Sequence, residues 1–208
     1  MKVGGTFLPV DLEYPEERIK YMIEEVGAKV VLKYITNGEN NKKLNHIENL
    51  VKSVLAITNF SFDIHVNELM LSLILELSIV LVDENKCQNV SLLSSIIDSN
   101  NVNLINTTPS RIKIFLEYEE FRKKLNKIKV IILAGEALPM DLCKIIHRYS
   151  QCKIYNGYGP IECYYCTYKE INEEKENKIT IGSPICNCKL YILDKYRKPV
   201  LVGVAGEI

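Results

Sequence analysis

Short apolar segments that alternate with helical patterns constrain the fold of this chain more than any other feature. KVIILAG (129–135) contains a continuous apolar run of strand length, which is typical of a strand buried on both faces. SIVLV (78–82), VNLIN (102–106) and CKIYN (152–156) are similar, and amphipathic patterns lie between them. Strand, helix and strand in this order imply right-handed crossovers between parallel neighbours. The sequence therefore predicts an α/β fold with a mostly parallel β-sheet covered by helices.

Several helix signals can be placed along the chain. Pro15 suits a first helical turn and Gly27 supplies a left-handed stop, which predicts a helix followed by a strand at 29–32. Residues 67–77 are apolar nearly all round and predict a helix buried on several sides, with SIVLV as an interior strand. Ser91 is predicted to cap a further helix, and Pro109 to begin the next one. The first of these two should turn Leu92, Leu93, Ile96 and Ile97 inward.

The charge balance and the cysteines indicate the class of protein. The 208 residues include 26 Lys plus Arg and 26 Asp plus Glu, so no net field favours nucleic acid or an anionic membrane as a partner. No apolar run approaches the roughly 20 residues that span a bilayer. The odd number of cysteines, 7, suits free thiols better than a disulfide framework. We expect a cytoplasmic location.

The carboxyl ends of three predicted strands are small or polar, at 106–108, 134–136 and 156–159. Ligands of parallel sheets bind beyond these ends. In NGYGPIE (156–162), the two glycines permit close approach of the backbone to a ligand. Tyr158 is left projecting at the strand end, which suits stacking on a planar ring, and Glu162 suits a metal ion or a ligand cation. Together they suggest a nucleotide with its magnesium. The alternative is a tight turn with a packed tyrosine and a surface glutamate.

Several segments, taken in order, resemble the adenylate-forming superfamily, and most closely the amino-acid adenylation domains of nonribosomal peptide synthetases. GGTFLPVDLEYPEERIKYMIEEVGAKVVL is similar to an early motif of the family, LAITNFSFDIHVNE to its Phe-Asp-x-Ser stretch and VIILAGEALP to its Gly-Glu-Ala-Leu turn. YNGYGPIE resembles its Asn-x-Tyr-Gly-Pro-Thr-Glu motif, and the last residues resemble the approach to its Gly-Glu-Leu motif. The resemblance implies the large N-terminal subdomain of the adenylate-forming fold, in part.

The resemblance also implies ligands and site residues. ATP and Mg²⁺ would bind as in the family, with Glu162 as the catalytic residue and the magnesium ligand. Asp63 would pair with the ammonium group of an α-amino acid; its alternative role is to cap the helix before Val66 and Asn67. The nucleotide site would contain Gly135, Glu136, Asn156, Tyr158 and Gly159. The amino-acid pocket would add Ile64, Asn67, Asn106, Ile132, Ala134, Gly157, Tyr165 and Cys166. The resemblance further implies a phosphopantetheinyl carrier domain as a partner.

The chain also departs from the family pattern. The family has a Ser/Thr/Gly-rich loop that cradles polyphosphate, and the corresponding interval 33–58 contains no such loop. Ile161 stands where the family has threonine, and the family's C-terminal subdomain is not seen before Ile208. We therefore expect residues 1–208 to be a partial adenylation domain without the phosphate-binding loop and the C-terminal subdomain, and inactive alone.

Two other interpretations stay open, together with three smaller expectations. The chain could be a non-catalytic amino-acid-binding relic, or Cys163, Cys166, Cys186 and Cys188 could hold a structural zinc ion; no zinc is expected because C-x-C is a tighter pair than usual. The segments 36–49 and 171–178 are charged and predicted to be solvated loops. His46 and His147 are expected on the surface, and His65 is expected to crowd the pocket.

Overall fold

The computed structural model describes residues 50–160, 165–176, 178–185 and 188–208. The predicted helix at 15–27, the strand at 29–32, the charged segment 36–49 and His46 lie outside these residues. No helix in the described part of the chain is long and apolar enough to cross a bilayer.

Seven strands form one sheet in the described residues, in the order β2-β1-β3-β4-β5-β6-β7. The neighbours from β2 to β5 are parallel, whereas the pairs β5/β6 and β6/β7 are antiparallel. The predicted α/β class and the mostly parallel sheet are thus confirmed. The strands are β1 (Ser53–Ala56), β2 (Ser78–Leu81), β3 (Leu104–Thr107), β4 (Val130–Ala134), β5 (Lys153–Tyr158), β6 (Thr167–Glu170) and β7 (Ser183–Pro184).

Helices connect the parallel strands. They are α1 (Asp63–Ile74), α2 (Glu84–Gln88), α3 (Val90–Ser99), α4 (Pro109–Phe115), α5 (Glu119–Lys124) and α6 (Met140–His147), with a short 3-10 turn at Leu125–Lys127. Pro109 begins α4 as predicted, and the side chain of Thr108 accepts a hydrogen bond from the Arg111 N–H. The cap of α3 is Asn89 rather than the predicted Ser91, because Asn89 Oδ1 accepts from the Leu92 N–H at 3.0 Å.

Apolar side chains fill both faces of the sheet. On one face, alternate strand residues such as Leu55, Ile105 and Ile131 pack with helix residues such as Leu93 and Ile146. The opposite face carries a smaller cluster: Val51, Val54, Leu104, Val130, Ile132, Ala134 and Tyr165. The strands between β1 and β5 are therefore buried on both sides, as their continuous apolar sequences predict.

Three expectations about burial were wrong. Among the described strands, β2 lies at the edge of the sheet, and its Leu81 is 65% exposed, so β2 is not interior in this part of the chain. On α1, Leu73 is 58% exposed, so this helix is not buried on that side. On α3, Leu93 and Ile97 are buried, but Leu92 is 41% exposed, because the buried face of the helix is formed by Val90, Leu93, Ser94 and Ile97.

The charged segment 171–178 is better anchored than a solvated loop. His147, predicted to be a surface residue, is only 28% exposed in its side chain and contacts Glu173 Oε1 through Nδ1 at 2.6 Å. Its Nε2 lies 2.9 Å from the carbonyl oxygen of Cys152. Glu176 pairs with Lys169 Nζ at 2.6 Å. These contacts fasten the segment to α6 and β6.

Candidate functional site

The carboxyl ends of β3, β4 and β5 lie side by side, as expected for parallel strands. Asn106 is the register partner of Ile132, and Ala134 is the register partner of Gly157. Because side chains alternate between the two faces of a sheet, all four residues share one face. The structure thus brings together four of the residues predicted for the amino-acid pocket.

Helix α1 covers this face with its first turns. Ile64 Cδ1 lies 3.8 Å from the position that a Cβ atom on Gly135 would take, at the turn after β4. Asn67 Nδ2 donates a hydrogen bond to the Tyr168 hydroxyl on β6 at 3.3 Å. Asp63 is half-buried as the first residue of α1, and its Oδ1 accepts from the Ile64 N–H at 2.8 Å. The helix therefore carries three predicted pocket residues to the strand ends.

Tyr165 lies between the helix and the sheet. Its hydroxyl donates to Asn106 Oδ1 at 3.1 Å, and its ring meets the Tyr168 ring edge to face, with the centroids 4.8 Å apart. Burial raises the pKa of the Tyr165 hydroxyl well above its ordinary value; the Asn106 hydrogen bond opposes this, and the nearby Asp63 carboxylate adds to it. Tyr165 is thus a neutral hydrogen-bonding group within the electrostatic reach of Asp63.

Cys166 is buried beside Tyr165 and joins three segments through its backbone. Its N–H donates to the Tyr158 carbonyl at 2.8 Å, and its carbonyl accepts from the Ile185 N–H at 2.9 Å. The residue therefore anchors the chain that returns antiparallel to β5.

The residues predicted to bind the nucleotide fall into two groups. The Tyr158 side chain is 37% exposed at the end of β5, and Gly135 is exposed with φ +82°. By contrast, Glu136 is engaged with Ser110, accepting from its hydroxyl at 2.6 Å and from its N–H at 3.0 Å. Asn156 is buried and donates to the Thr180 carbonyl at 3.0 Å. The Tyr158 ring is therefore available for stacking, whereas the side chains of Glu136 and Asn156 are already hydrogen-bonded to other residues of the protein.

Gly159 follows Tyr158 and is partly exposed, next to the end of the described stretch. Glu162, the predicted catalytic and magnesium-binding residue, lies outside the described residues, as do Ile161, Cys163 and Cys186. Among the residues that the structure does describe, no group of three or more His, Cys, Asp or Glu side chains could hold a metal ion.

A buried carboxylate on α1 was missed by the sequence reasoning. Glu68 accepts from the Thr58 hydroxyl at 2.8 Å and from the backbone N–H groups of Ile57 and Thr58 at 3.4 and 3.3 Å. Its Oε2 also lies 3.5 Å from Nδ1 of His65, whose ring contacts the Phe60 ring at an angle of 53°. These contacts fix the exit of β1 to the helix that carries Asp63. A glutamate within the apolar run 67–77 was the available signal.

His65 is buried beneath Phe60, with the ring centroids 3.9 Å apart. It therefore contacts the segment before α1 and the Glu68 carboxylate. Its predicted crowding of the pocket stays a prediction.

Comparisons with known proteins agree with this architecture. The chain is 25% identical to polyketide synthase PksN of Bacillus subtilis (strain 168) and 24% identical to bacitracin synthase 1 of Bacillus licheniformis; each match covers 100% of this chain and 5% of the relative. The chain thus spans only a small part of these relatives. The crystal structure of the nonribosomal peptide synthetase FmoA3 (S1046A) has a TM-score of 0.68 at 18% identity, over 77% of this chain and 18% of that one.

The family of AMP-binding enzymes matches residues 44–208, which include every described strand and helix. This match, the parallel sheet and the fold of FmoA3 agree with the resemblance seen in the motifs. The chain belongs to the AMP-binding enzyme family.

Proposed function

We propose that this chain is part of an amino-acid adenylation domain of nonribosomal peptide synthesis and that its strand-end site binds an α-amino acid. The observation that carries the proposal is the placement of Asp63. Its carboxylate is half-buried at the start of α1, next to Ile64, whose Cδ1 approaches the turn at Gly135 after β4, and its charge contributes to the raised pKa of Tyr165. A carboxylate in such a place forms a strong charge-assisted hydrogen bond with an ammonium group.

The reaction of such a domain joins the amino acid to AMP. A carboxylate oxygen of the amino acid attacks the α-phosphorus of ATP, the bond to the bridging oxygen breaks, and pyrophosphate leaves with the electron pair. In the proposal, Asp63 holds the ammonium group, and the wall formed by Tyr165, Asn106 and Gly157 surrounds the side chain. The carboxylate then points toward the strand ends where Tyr158 projects. The contribution of the protein is mainly orientation.

ATP fits part of this site. The exposed Tyr158 ring suits stacking on adenine, and the turn at Gly135 leaves open space, since a Cβ atom there would meet only ordinary contacts at 3.6 and 3.8 Å. An AMPPNP-bound form of FmoA3 is among the similar structures, with a TM-score of 0.68. We propose ATP as the second substrate and Glu162 as the residue that holds Mg²⁺, which would balance the phosphate charge when bound.

The proposal includes weaker binding of the phosphate groups of ATP by this chain. The alignment with PksN runs over 282 positions, 74 more than this chain has residues, and the alignment with bacitracin synthase 3 runs over 269. Both relatives therefore carry residues between matched segments that this chain lacks, which supports the loss of the phosphate-binding loop. Because one missing electrostatic donor can cost about two to three powers of ten in rate, we propose that 1–208 binds an amino acid without turnover on its own.

A carrier domain is the proposed partner. One similar structure is NpsA-ThdA of Klebsiella oxytoca, described as an artificially fused adenylation-PCP di-domain, with a TM-score of 0.61. An aminoacyl adenylate is consumed by a thiol in such systems, so a phosphopantetheinyl carrier would accept the amino acid. We propose the cytoplasm as the place of this reaction.

The test has two measurements on the purified chain. Amino-acid-dependent ATP–pyrophosphate exchange is measured across the common amino acids with the chain and with Glu162→Gln, and amino-acid binding is measured in parallel by ligand-observed NMR. We expect binding without exchange, weakened about tenfold to a hundredfold by Asp63→Asn because a charge-assisted hydrogen bond is lost. The matched control is Asp141→Asn, at a side chain that is 92% exposed.

Each outcome decides between the alternatives. Exchange that depends on one amino acid and on Glu162 would show that the chain is an active enzyme and that the missing loop is dispensable. Binding that is insensitive to Asp63→Asn, or no amino-acid binding by a folded chain, would refute the proposed site.

A further inference from the structure

The Tyr165 side chain takes up much of the space above the strand ends. A Cβ atom placed on Gly157 would lie 3.0 Å from Tyr165 Cε1 and 3.2 Å from Cδ1, so the ring rests directly on the glycine backbone. The same Cβ position is 3.4 Å from Ala134 Cβ, and Tyr165 is only 9% exposed. The two small residues thus accommodate the tyrosine ring rather than leaving open room for a large ligand side chain.

Contacts on two sides hold this ring in place. Its hydroxyl is bonded to Asn106, and its edge packs against Tyr168, which in turn accepts the hydrogen bond from Asn67. A side chain whose hydroxyl is hydrogen-bonded and whose ring is packed does not swing aside without losing these contacts. Tyr165 is therefore a fixed wall of the site.

The Asn106 amide has an unused donor. Its Oδ1 accepts from Tyr165, but its Nδ2 makes no hydrogen bond, although the residue is only 1% exposed. A buried amide donor without a partner costs free energy, and buried polar groups are otherwise almost always paired. This donor lies on the strand face that the Tyr165 side chain covers, so an acceptor on a bound ligand would satisfy it.

We propose that the site selects an α-amino acid with a short, uncharged side chain that carries a hydrogen-bond acceptor, such as L-serine or L-threonine. The inference rests on the proposed function. The fixed Tyr165 ring excludes long side chains, and Asn106 Nδ2 recognises the hydroxyl oxygen. A side-chain carboxylate would be repelled, because Asp63 is the only charged residue among those predicted for the pocket.

The experiment compares ligands that differ only in the amino-acid side chain. The seryl, alanyl and phenylalanyl forms of sulfamoyl adenosine are titrated into the chain by isothermal calorimetry, with folding checked by circular dichroism. We expect the seryl form to bind about tenfold or more tightly than the alanyl form, since only the former pairs the buried amide. The phenylalanyl form should bind more weakly still.

Two variants assign the effect to the named residues. Asn106→Leu should abolish the preference for seryl over alanyl while retaining both, and Tyr165→Ala should improve phenylalanyl binding by opening the wall. Tyr155→Phe is the control, because its hydroxyl bonds Glu170 at the same sheet face but outside the pocket. The comparison of seryl with alanyl on the unmutated chain decides even if a variant does not fold.

The outcomes separate the inference from the proposed function. If the seryl and alanyl forms bind equally and Asp63→Asn weakens both, the amino-acid site stands and the selection for a hydroxyl is overturned. Preferred binding of the phenylalanyl form also overturns it. If no form binds to a folded chain, the proposed function fails together with the inference.

Discussion

Gly182 is a position where adding a single carbon atom should strongly perturb this fold, because a left-handed φ and close backbone contacts coincide there. Its φ is +85°, and a Cβ atom there would lie 2.6 Å from Lys169 Cβ and 2.7 Å from the Tyr168 carbonyl oxygen. Ordinary carbon contacts are about 3.5–4.0 Å, so the substitution requires a shift of about 1 Å between β6 and the chain leading into β7. The neighbouring atoms belong to the backbone or to its first side-chain carbon and cannot rotate away.

The size of the effect can be divided into two parts. The left-handed conformation costs an alanine about 1–2 kcal/mol, and the steric overlap should bring the total for Gly182→Ala to about 3–4 kcal/mol. Two other glycines isolate the first part. Gly203 has φ +89° with no atom within 4 Å, and Gly135 has φ +82° with contacts only at 3.6 and 3.8 Å. Their alanine variants should each lose about 1 kcal/mol.

The assay is urea unfolding of the three variants, followed by far-UV circular dichroism because the chain contains no tryptophan. A loss at Gly182 that is no larger than the loss at Gly135 would show that β6 and β7 can separate freely. In that case the steric argument, and with it the close approach of Gly182 to Tyr168, would be wrong.

Three further predictions concern titrating groups. Burial raises the pKa of Tyr165, so its stabilising contribution should be complete below pH 10 and decline as the pH rises further; alkaline unfolding of Tyr165→Phe should show a smaller slope. Hydrogen bonds from Lys124 and Lys127 lower the pKa of Asp98 to about 2, which NMR titration should show; the associated stability is present above the ordinary value and lost as the pH falls through about 2. Burial raises the pKa of Cys143 to about 12, so alkylation mapped by mass spectrometry should find this thiol unreactive at pH 8 until the chain unfolds.

Local sequence patterns predicted the central strands because a strand that is buried on both faces consists almost entirely of apolar residues. Residues 130–134 are apolar throughout, and β4 is buried along its whole length. The same kind of pattern failed for β2, since an apolar run carries no information about whether a neighbour covers its outer edge. The cap of α3 was displaced for a related reason: Asn89 and Ser91 are both good caps, and packing of Val90 and Leu93 decides between them.

Long-range partners were beyond local reasoning. The charged run 171–178 looked solvated because its partners, His147 and Lys169, lie on other elements. The resemblance indicated that Tyr165 borders a pocket, but it gave no direction for the ring. That direction depends on a hydrogen bond to Asn106, which is 59 residues away along the chain.

The spacing of the strand pairs has a consequence for folding. One set of strands contains β1 and β2, in which Ser53 pairs with Ser78. A second set contains β3, β4 and β5, in which Val130 pairs with Leu104 and Lys153. Within each set the paired residues are separated by short stretches of chain. The pair that joins the two sets, Val54 with Leu104, closes a loop about twice as long, which costs about 0.6 kcal/mol more in chain entropy. We expect each set to form first and the junction last.

The candidate site lies across this junction. Asp63 belongs to the helix of the first set, whereas Asn106 and Gly157 belong to strands of the second. A ligand that contacts both sets of strands would stabilise the closed junction, because every opening of the junction would also release the ligand. Occupancy of the site should therefore slow amide exchange between β1 and β3 more than elsewhere, and the ligand would help to complete the sheet that recognises it.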